Sequence, residues 1–196
     1  IKNNASGRLN EDLEEVEFAQ KYQKYASTIV DAIKSGDVPL RVTHNDTKLN
    51  NVLFDNKTGE GLCVIDLDTV MPGSMLYDYG DSLRFGASSG TEDEKDLDKI
   101  WFDLEKFEYF TKGFLEEVKD IITEKEKELF PISALLMTYE CGIRFLADYI
   151  NGDVYFAIHY PEQNLDRAHT QLKLVWDIES KLPKMAEIVD RIYNEL

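Results

Sequence analysis

The segment NVLFDNKTGEGLCVID, residues 51–66, constrains the fold more sharply than any other. Two short apolar runs, NVLFD and LCVID, enclose the turn-rich hexapeptide NKTGEG, and this arrangement predicts a β-hairpin. A lone hairpin is marginal in water, so the rest of the chain must supply a core. LRVTH, just upstream, reads as another short strand. Elsewhere the apolar spacing is helical. Over residues 11–33, Leu13, Val16, Tyr22, Ala26, Ile29, Val30 and Ile33 recur on one face, which predicts an amphipathic helix stopped by SGD at residues 35–37. DTVMPGSMLYDYGDSLRFGASSG reads as a long loop with a short helix starting near Tyr79, and helix resumes after Asp103.

Thr123 and Glu126 have the spacing of a capping box, and Pro131 is expected to break or restart the helix that follows. Residues 132–150 then form a mostly apolar, buried helix ended by NGD. Asn164 is placed to cap a helix through LDRAHTQLKLVWDIESKL, and Pro183 to open the last one. There is no internal repeat. The expected fold class is α+β, mainly α, with a small β insert, and the 196 residues make one domain.

Charge narrows the partners. With 38 acidic against 22 basic residues the net charge is −16, which leaves no basic stripe for nucleic-acid phosphates or anionic lipids. Cys63 and Cys141 each lie in an apolar stretch, as expected of buried free thiols in a reducing compartment, and the reading is of a cytoplasmic protein. No apolar run looks long enough to span a membrane, and the opening IKNNASGRLNEDLEE has neither the basic nor the apolar part of a signal peptide. The chain begins at Ile1, which suggests a piece of something longer.

The chemistry concentrates in RVTHNDTKLNNVLFD, residues 41–55, where His44, Asp46, Lys48 and Asn51 crowd one turn. Phosphoryl transfer needs a carboxylate beside the attacking hydroxyl and oxygen ligands for Mg²⁺, since its catalysis is mostly positioning and charge neutralisation. Asp46 and Asn51 stand at the spacing of a kinase catalytic loop, with His44 two before the Asp and Lys48 two after it. The hairpin then leads to Asp66 at the end of an apolar strand, where a second metal-binding Asp is required.

THNDTKLNNVLFD followed by VIDLDTVMPG resembles the aminoglycoside phosphotransferase and choline kinase superfamily, with Asn45 in the place of the protein-kinase Arg. More narrowly, these blocks together with YDYGDSLRFGA, ECGIRFLADYINGDVYF and YPEQNLDRAHTQLKLVWDIE resemble the N-acetylhexosamine 1-kinase group of sugar kinases. The resemblance implies a protein-kinase-like C-terminal lobe using ATP and Mg²⁺. Asp46 would be the catalytic base and Asn51 and Asp66 the metal ligands, with a sugar held by polar residues of the helical part. Nothing in the 196 residues resembles the nucleotide-binding N-terminal lobe, so this chain alone is expected to be inactive and to self-associate through the apolar face that lobe would cover.

His44 is read as structural support, and Lys48 either as a charge steadying the transferred phosphate or as a solvated side chain. Asp68 is read as a surface carboxylate, though as an extended-chain neighbour of Asp66 it could touch a second metal. Asp78 resembles the carboxylate that braces the catalytic loop. Asp81 is a candidate for substrate binding or for an i,i+3 pair with Arg84. Arg144, in an apolar setting, either reaches the sugar or forms a buried ion pair with Asp148, and the first is preferred. Tyr155 and Phe156 offer an aromatic wall, and Asn164, Arg167 and His169 are left as helix-start and surface residues. The acceptor is accordingly a sugar, with choline, another amino alcohol or an antibiotic as the alternative in the same class. A non-catalytic binding module is the rival from another class.

Overall fold

The computed structural model describes residues 6–10 and 13–196. Its frame is two long helices, α5 (Glu124–Asn151) and α6 (Gln163–Glu195), packed along each other. A shorter helix, α3 (Met75–Gly86), lies on the other side of α5, and α4 (Leu104–Val118) rests on α6. α1 (Leu13–Tyr22) and α2 (Thr28–Ser35) cover the outside of this bundle. The chain is mainly helical with a small β region, as the hydropathy pattern implies.

The helix expected over residues 11–33 is interrupted, and its first two positions lie outside the described residues. Between α1 and α2 residues 23–25 form a 3₁₀ turn. The reason sits on α6: Tyr22 and Tyr25 both donate to the Glu179 carboxylate, at 2.7 and 2.9 Å. Residues three apart eclipse each other in a 3₁₀ turn and are offset by about 60° in an α-helix, so the shared partner suits the tighter turn.

Neither proline breaks its helix. Pro131 lies well inside α5 and Pro183 inside α6. An interior proline costs about 3 kcal/mol. Around Pro131 the side chains of Leu129, Phe130, Ala134 and Leu135 are buried, and full burial of one large apolar side chain is worth roughly 1.5–3 kcal/mol, so packing outweighs the break. Ile178, Met185, Ile188 and Val189 do the same around Pro183. The capping box at Thr123 and Glu126 is present in full. By length and composition α5 could cross a membrane, contrary to the reading that no run is long enough, but 67% of its most apolar window is buried inside the bundle, as befits a core helix.

α3 starts at Met75 rather than near Tyr79, because the Ser74 side chain caps it through the Leu76 N–H. Its core face is Leu76, Tyr79 and Leu83, with Tyr79 stacked on Phe130 at 4.3 Å between ring centres and its hydroxyl on Thr111 at 2.7 Å. Gly80 is required here: a Cβ would overlap the main chain of Ser133 on α5, so only glycine lets the helices approach this closely. With that face buried, the opposite side of α3 is free to carry Asp78 and Asp81.

The β region is two nested ribbons. β1 (Arg41–Thr43) pairs antiparallel with β4 (Met71–Gly73), in the register Arg41 to Gly73 and Thr43 to Met71. Inside it, β2 (Val52–Phe54) and β3 (Gly61–Val64) form the expected hairpin, Val52 opposite Val64. β4 falls in the segment expected to be loop; at three residues containing Pro72 and Gly73 it has no strand-like composition. Nesting brings residues 44–51 and 65–70 side by side between the ribbons. A two-stranded ribbon has no second layer over it, so Cys63 is exposed rather than buried; Cys141, on α5, is partly buried. Leu40, Val42, Leu62 and Leu67 are exposed as well, Val42 to 82%.

Candidate active site around the 44–51 loop

Asp78, in the first turn of α3, holds the loop from below. Its two carboxylate oxygens accept the main-chain N–H groups of His44 and Asn45 at 2.7 and 2.8 Å, and its carbonyl accepts the Thr47 hydroxyl at 2.9 Å. Asn45 itself sits in the left-handed region, at φ 63°, a conformation Asn tolerates better than most residues. The neighbouring 65–70 segment is laced to the same turn. The His44 Nε2–H donates to the Ile65 carbonyl at 3.0 Å, which leaves Nδ1 buried without a partner. Thr69 donates to the His44 carbonyl at 2.6 Å, and the Asn45 amide to the Thr69 carbonyl at 3.0 Å.

Within this frame Asp46, Lys48 and Asn51 converge. Lys48 Nζ and Asn51 Nδ2 both donate to Asp46 Oδ2, each at 2.8 Å, and Asn51 Nδ2 also reaches the Asp46 carbonyl. Asn51 is buried at the end of a 3₁₀ turn, Leu49–Asn51, so its amide is fixed by packing as well as by hydrogen bonds. Partial burial pushes the Asp46 carboxyl up, but the hydrogen bonds from Lys48 and Asn51 more than offset it and hold the group below the usual carboxylate range. Lys48 is shifted up by its bond to Asp46, with further attraction from Asp66 and Asp81, and is paired with Asp46 while its side chain stays partly exposed.

Asp66 adopts the left-handed conformation, φ 63° and ψ 55°, at the start of a second 3₁₀ turn, Leu67–Thr69. This bend turns Asp66 and Asp68 toward each other, and the hydrogen bond and repulsion from Asp68 raise the Asp66 pKa. Two carboxylates in contact in an exposed turn are a concentration of negative charge that a cation would relieve.

Asp81 pairs with Arg84, Oδ1 to Nε at 2.9 Å, and lines a cavity of about 190 Å³ beside Asn45 and Asp78. Arg84 also reaches Glu92 at 3.0 Å. Arg144 and Tyr155 share a different cavity of about 280 Å³ with Phe156 and Asn151. Arg144 is half exposed rather than buried, its guanidinium 5.9 and 5.4 Å from the ring centres of Tyr155 and Phe156 and 3.6 Å from Glu140.

The buried ion pair of Arg144 with Asp148 does not form. Asp148 instead accepts the main-chain N–H groups of Val154, Tyr155 and Phe156 at 2.9–3.0 Å, together with the Asn164 amide. A buried carboxylate surrounded by donors needs no counter-charge, and here it shapes the loop that presents Tyr155. Asn164 is accordingly not a helix cap; it is buried, α6 starts a residue before it, and its amide bridges Asp148 and Asp153. Arg167 is mostly covered too, donating to Asn164 at 3.0 Å, and His169 bonds Glu15 at 2.7 Å. A line of contacts thus runs from Asp81 through Arg84, Glu92, Arg167 and Asn164 to Asp148.

Two contributors gave little sign of themselves in sequence. Arg41, on β1, forks onto the buried Glu126 of the capping box at 2.8 and 3.1 Å and so ties the strand entering the 44–51 loop to α5. Thr69 pins the His44 carbonyl. Only the excess of a second role for Glu126, already assigned to a cap, could have raised the first, and nothing in the spacing pointed to the second.

The 44–51 loop thus brings a carboxylate, a lysine and an asparagine together on one turn, with two carboxylates in contact in the neighbouring 65–70 segment. The model of the phosphotransferase enzyme family matches residues 3–110, more than half of the chain, and the protein belongs to that family. The match takes in the 44–51 loop, Asp66, Asp78 and Asp81, and stops short of α5, which carries Arg144, and of the loop after it, which carries Tyr155.

Proposed function

We propose that the chain is the catalytic-loop lobe of an ATP- and Mg²⁺-dependent small-molecule kinase of the protein-kinase-like type, acting on an alcohol, most specifically the anomeric hydroxyl of an N-acetylhexosamine. Membership of a phosphotransferase family supports a kinase-type enzyme acting on small molecules. The observation that carries the reading further is the convergence of Lys48 and Asn51 on Asp46 Oδ2. Both contacts fall on one oxygen, which leaves Oδ1 to accept the hydrogen of an acceptor hydroxyl. With its pKa held down, Asp46 stays ionised near neutral pH and acts first as an orienting acceptor, taking the proton as the bond to phosphorus forms.

Asp66 would hold Mg²⁺ together with the side-chain oxygen of Asn51, whose amide nitrogen is already engaged by Asp46. Mg²⁺ takes one or two protein oxygens and completes its shell from phosphates and water, so two such ligands would suffice. Bound there, Mg²⁺ would neutralise the phosphate oxygens of the nucleotide. Lys48, adjacent to Asp46, is placed to stabilise charge on the transferred group.

Arg144 beside Tyr155 favours a neutral sugar over choline, because a guanidinium at an aromatic wall repels a quaternary ammonium while its fork suits hydroxyl and N-acetyl oxygens. The exposed Leu40, Val42, Leu62 and Leu67 fit a face on which a nucleotide-carrying lobe packs. The test is a panel of N-acetylglucosamine, N-acetylgalactosamine, choline, homoserine and kanamycin offered with Mg-ATP to the complete protein. Transfer to a sugar C1 oxygen is expected. Transfer to choline or kanamycin but to neither sugar overturns the sugar assignment, and no transfer to any acceptor favours a binding module.

A further inference from the structure

The loop that follows α5 and presents Tyr155 is held by two carboxylates. Asp148 accepts the main-chain N–H groups of residues 154–156, and Asp153 stands beside it with a side chain only 5% exposed. One amide serves both: Asn164 Nδ2 donates to Asp148 Oδ2 and to Asp153 Oδ1, each at 3.0 Å. The two oxygens are therefore no more than about 6 Å apart, close enough for like charges to repel in a buried setting. A left-handed turn at Gly152 and Asp153, φ 96° and 58°, brings the chain back so that the Asp153 N–H donates to the Asp148 carbonyl at 2.9 Å. Asp148 alone is satisfied by its donors. Asp153 adds the second charge, and Arg8 neutralises it from 145 positions away in sequence. Arg8 Nη1 donates to Asp153 Oδ2 at 2.7 Å and to the Tyr149 carbonyl at 2.8 Å, and the guanidinium lies 4.5 Å from the centre of the Tyr149 ring.

Val154 and Tyr155 are 78% and 73% exposed, so packing does little to fix them and the bonds to Asp148 set their place. Both line the cavity shared with Arg144. Removing the partner of a buried carboxylate leaves its charge uncompensated. The relief open to Asp153 is then to draw away from Asp148, which pulls on the shared Asn164 amide and on the bonds of residues 154–156 just beyond. We infer that Arg8 is a positioning residue for the acceptor site: it neutralises Asp153, keeps Asp148 bonded to residues 154–156, and so sets where Tyr155 stands. That Tyr155 meets an acceptor rests on the proposed function; the hold of Arg8 on the loop does not.

Hydrogen exchange of the complete protein, read beside steady-state kinetics with N-acetylglucosamine and Mg-ATP, tests it. Arg8→Gln removes the charge and keeps a donor for the Tyr149 carbonyl. Exchange at the Val154, Tyr155 and Phe156 amides is expected to rise at least about tenfold, the loss of one hydrogen bond to a charged group, while the amide of Leu135 in the middle of α5 stays as protected as before. The sugar KM should rise about tenfold with the nucleotide KM unchanged. Adding Asp153→Asn to Arg8→Gln removes the surplus charge and keeps an oxygen for Asn164, so it should restore both the protection and the sugar KM. Unchanged exchange at residues 154–156, an equal rise at Leu135, an unchanged sugar KM, or a double variant no better than Arg8→Gln overturns the inference. Phosphorylation of the sugar with unchanged exchange at residues 154–156 refutes the role of Arg8 and leaves the function standing. A loop effect reversed in the double variant, with no phosphorylation of any acceptor, refutes the function and leaves the hold of Arg8 on the loop.

Discussion

Asp78→Asn isolates what the brace beneath the loop contributes. The carboxylate accepts two main-chain N–H groups, at 2.7 and 2.8 Å, with one oxygen each. Asparagine keeps one oxygen and turns an NH₂ group toward the other N–H, so one bond is lost and two donors face each other. A hydrogen bond to a charged group is worth about 1.5–3 kcal/mol, which puts the loss at about 2–3 kcal/mol. For a chain of 196 residues roughly 2–4 °C of melting temperature accompanies each kcal/mol, so a fall of about 4–12 °C is expected. The Thr47 bond to the Asp78 carbonyl is main-chain on the α3 side and survives. Thermal unfolding gives the global number, and hydrogen exchange at the His44 and Asn45 amides reads the loop directly, with protection expected to fall at least about tenfold. A melting temperature within a degree of the parent and unchanged exchange at both amides would refute the reasoning.

Gly80→Ala drives a methyl into the main chain of Ser133 and should cost about 1–3 kcal/mol in denaturant unfolding; a neutral result would mean that α3 can shift without penalty. Glu179 is pushed up by burial but lowered overall, from 4.5 to about 2, by its bonds from Lys24, Tyr22 and Tyr25. Because the folded pKa is depressed, its contribution is present above about 4.5 and is lost as pH falls toward about 2; Glu179→Gln should flatten that stretch of the stability–pH curve, and an unchanged curve counts against the cluster. Arg144→Lys should raise the acceptor KM with the nucleotide KM unchanged, since an ammonium cannot reproduce the fork, and parallel damage to both would point to a structural role.

The hairpin, the capping box and the crowding of Asp46, Lys48 and Asn51 were legible because each is local: turn residues at fixed offsets and polar groups within six positions of one another. The nested ribbon was not, since β4 carries Pro72 and Gly73 and pairs with β1 across a separation of 28 positions or more, which no local propensity reports. Both prolines misled for a related reason, because burial of Phe130 and Met185 against distant helices outweighs a local backbone penalty. Asp148 is the most instructive case. Its spacing from Arg144 suits an ion pair, yet three main-chain donors arriving from residues 154–156 claim it first.

The central claim is that Asp46 directs transfer of a phosphoryl group to a sugar hydroxyl. ³¹P NMR of the complete protein with Mg-ATP and N-acetylglucosamine, run beside Asp46→Asn, tests it most directly. The parent should build up a sugar 1-phosphate resonance coupled to the anomeric proton. Asp46→Asn should do so about 10²- to 10⁴-fold more slowly, while binding the sugar as before. Equal rates of sugar phosphate formation by the two proteins would contradict the account.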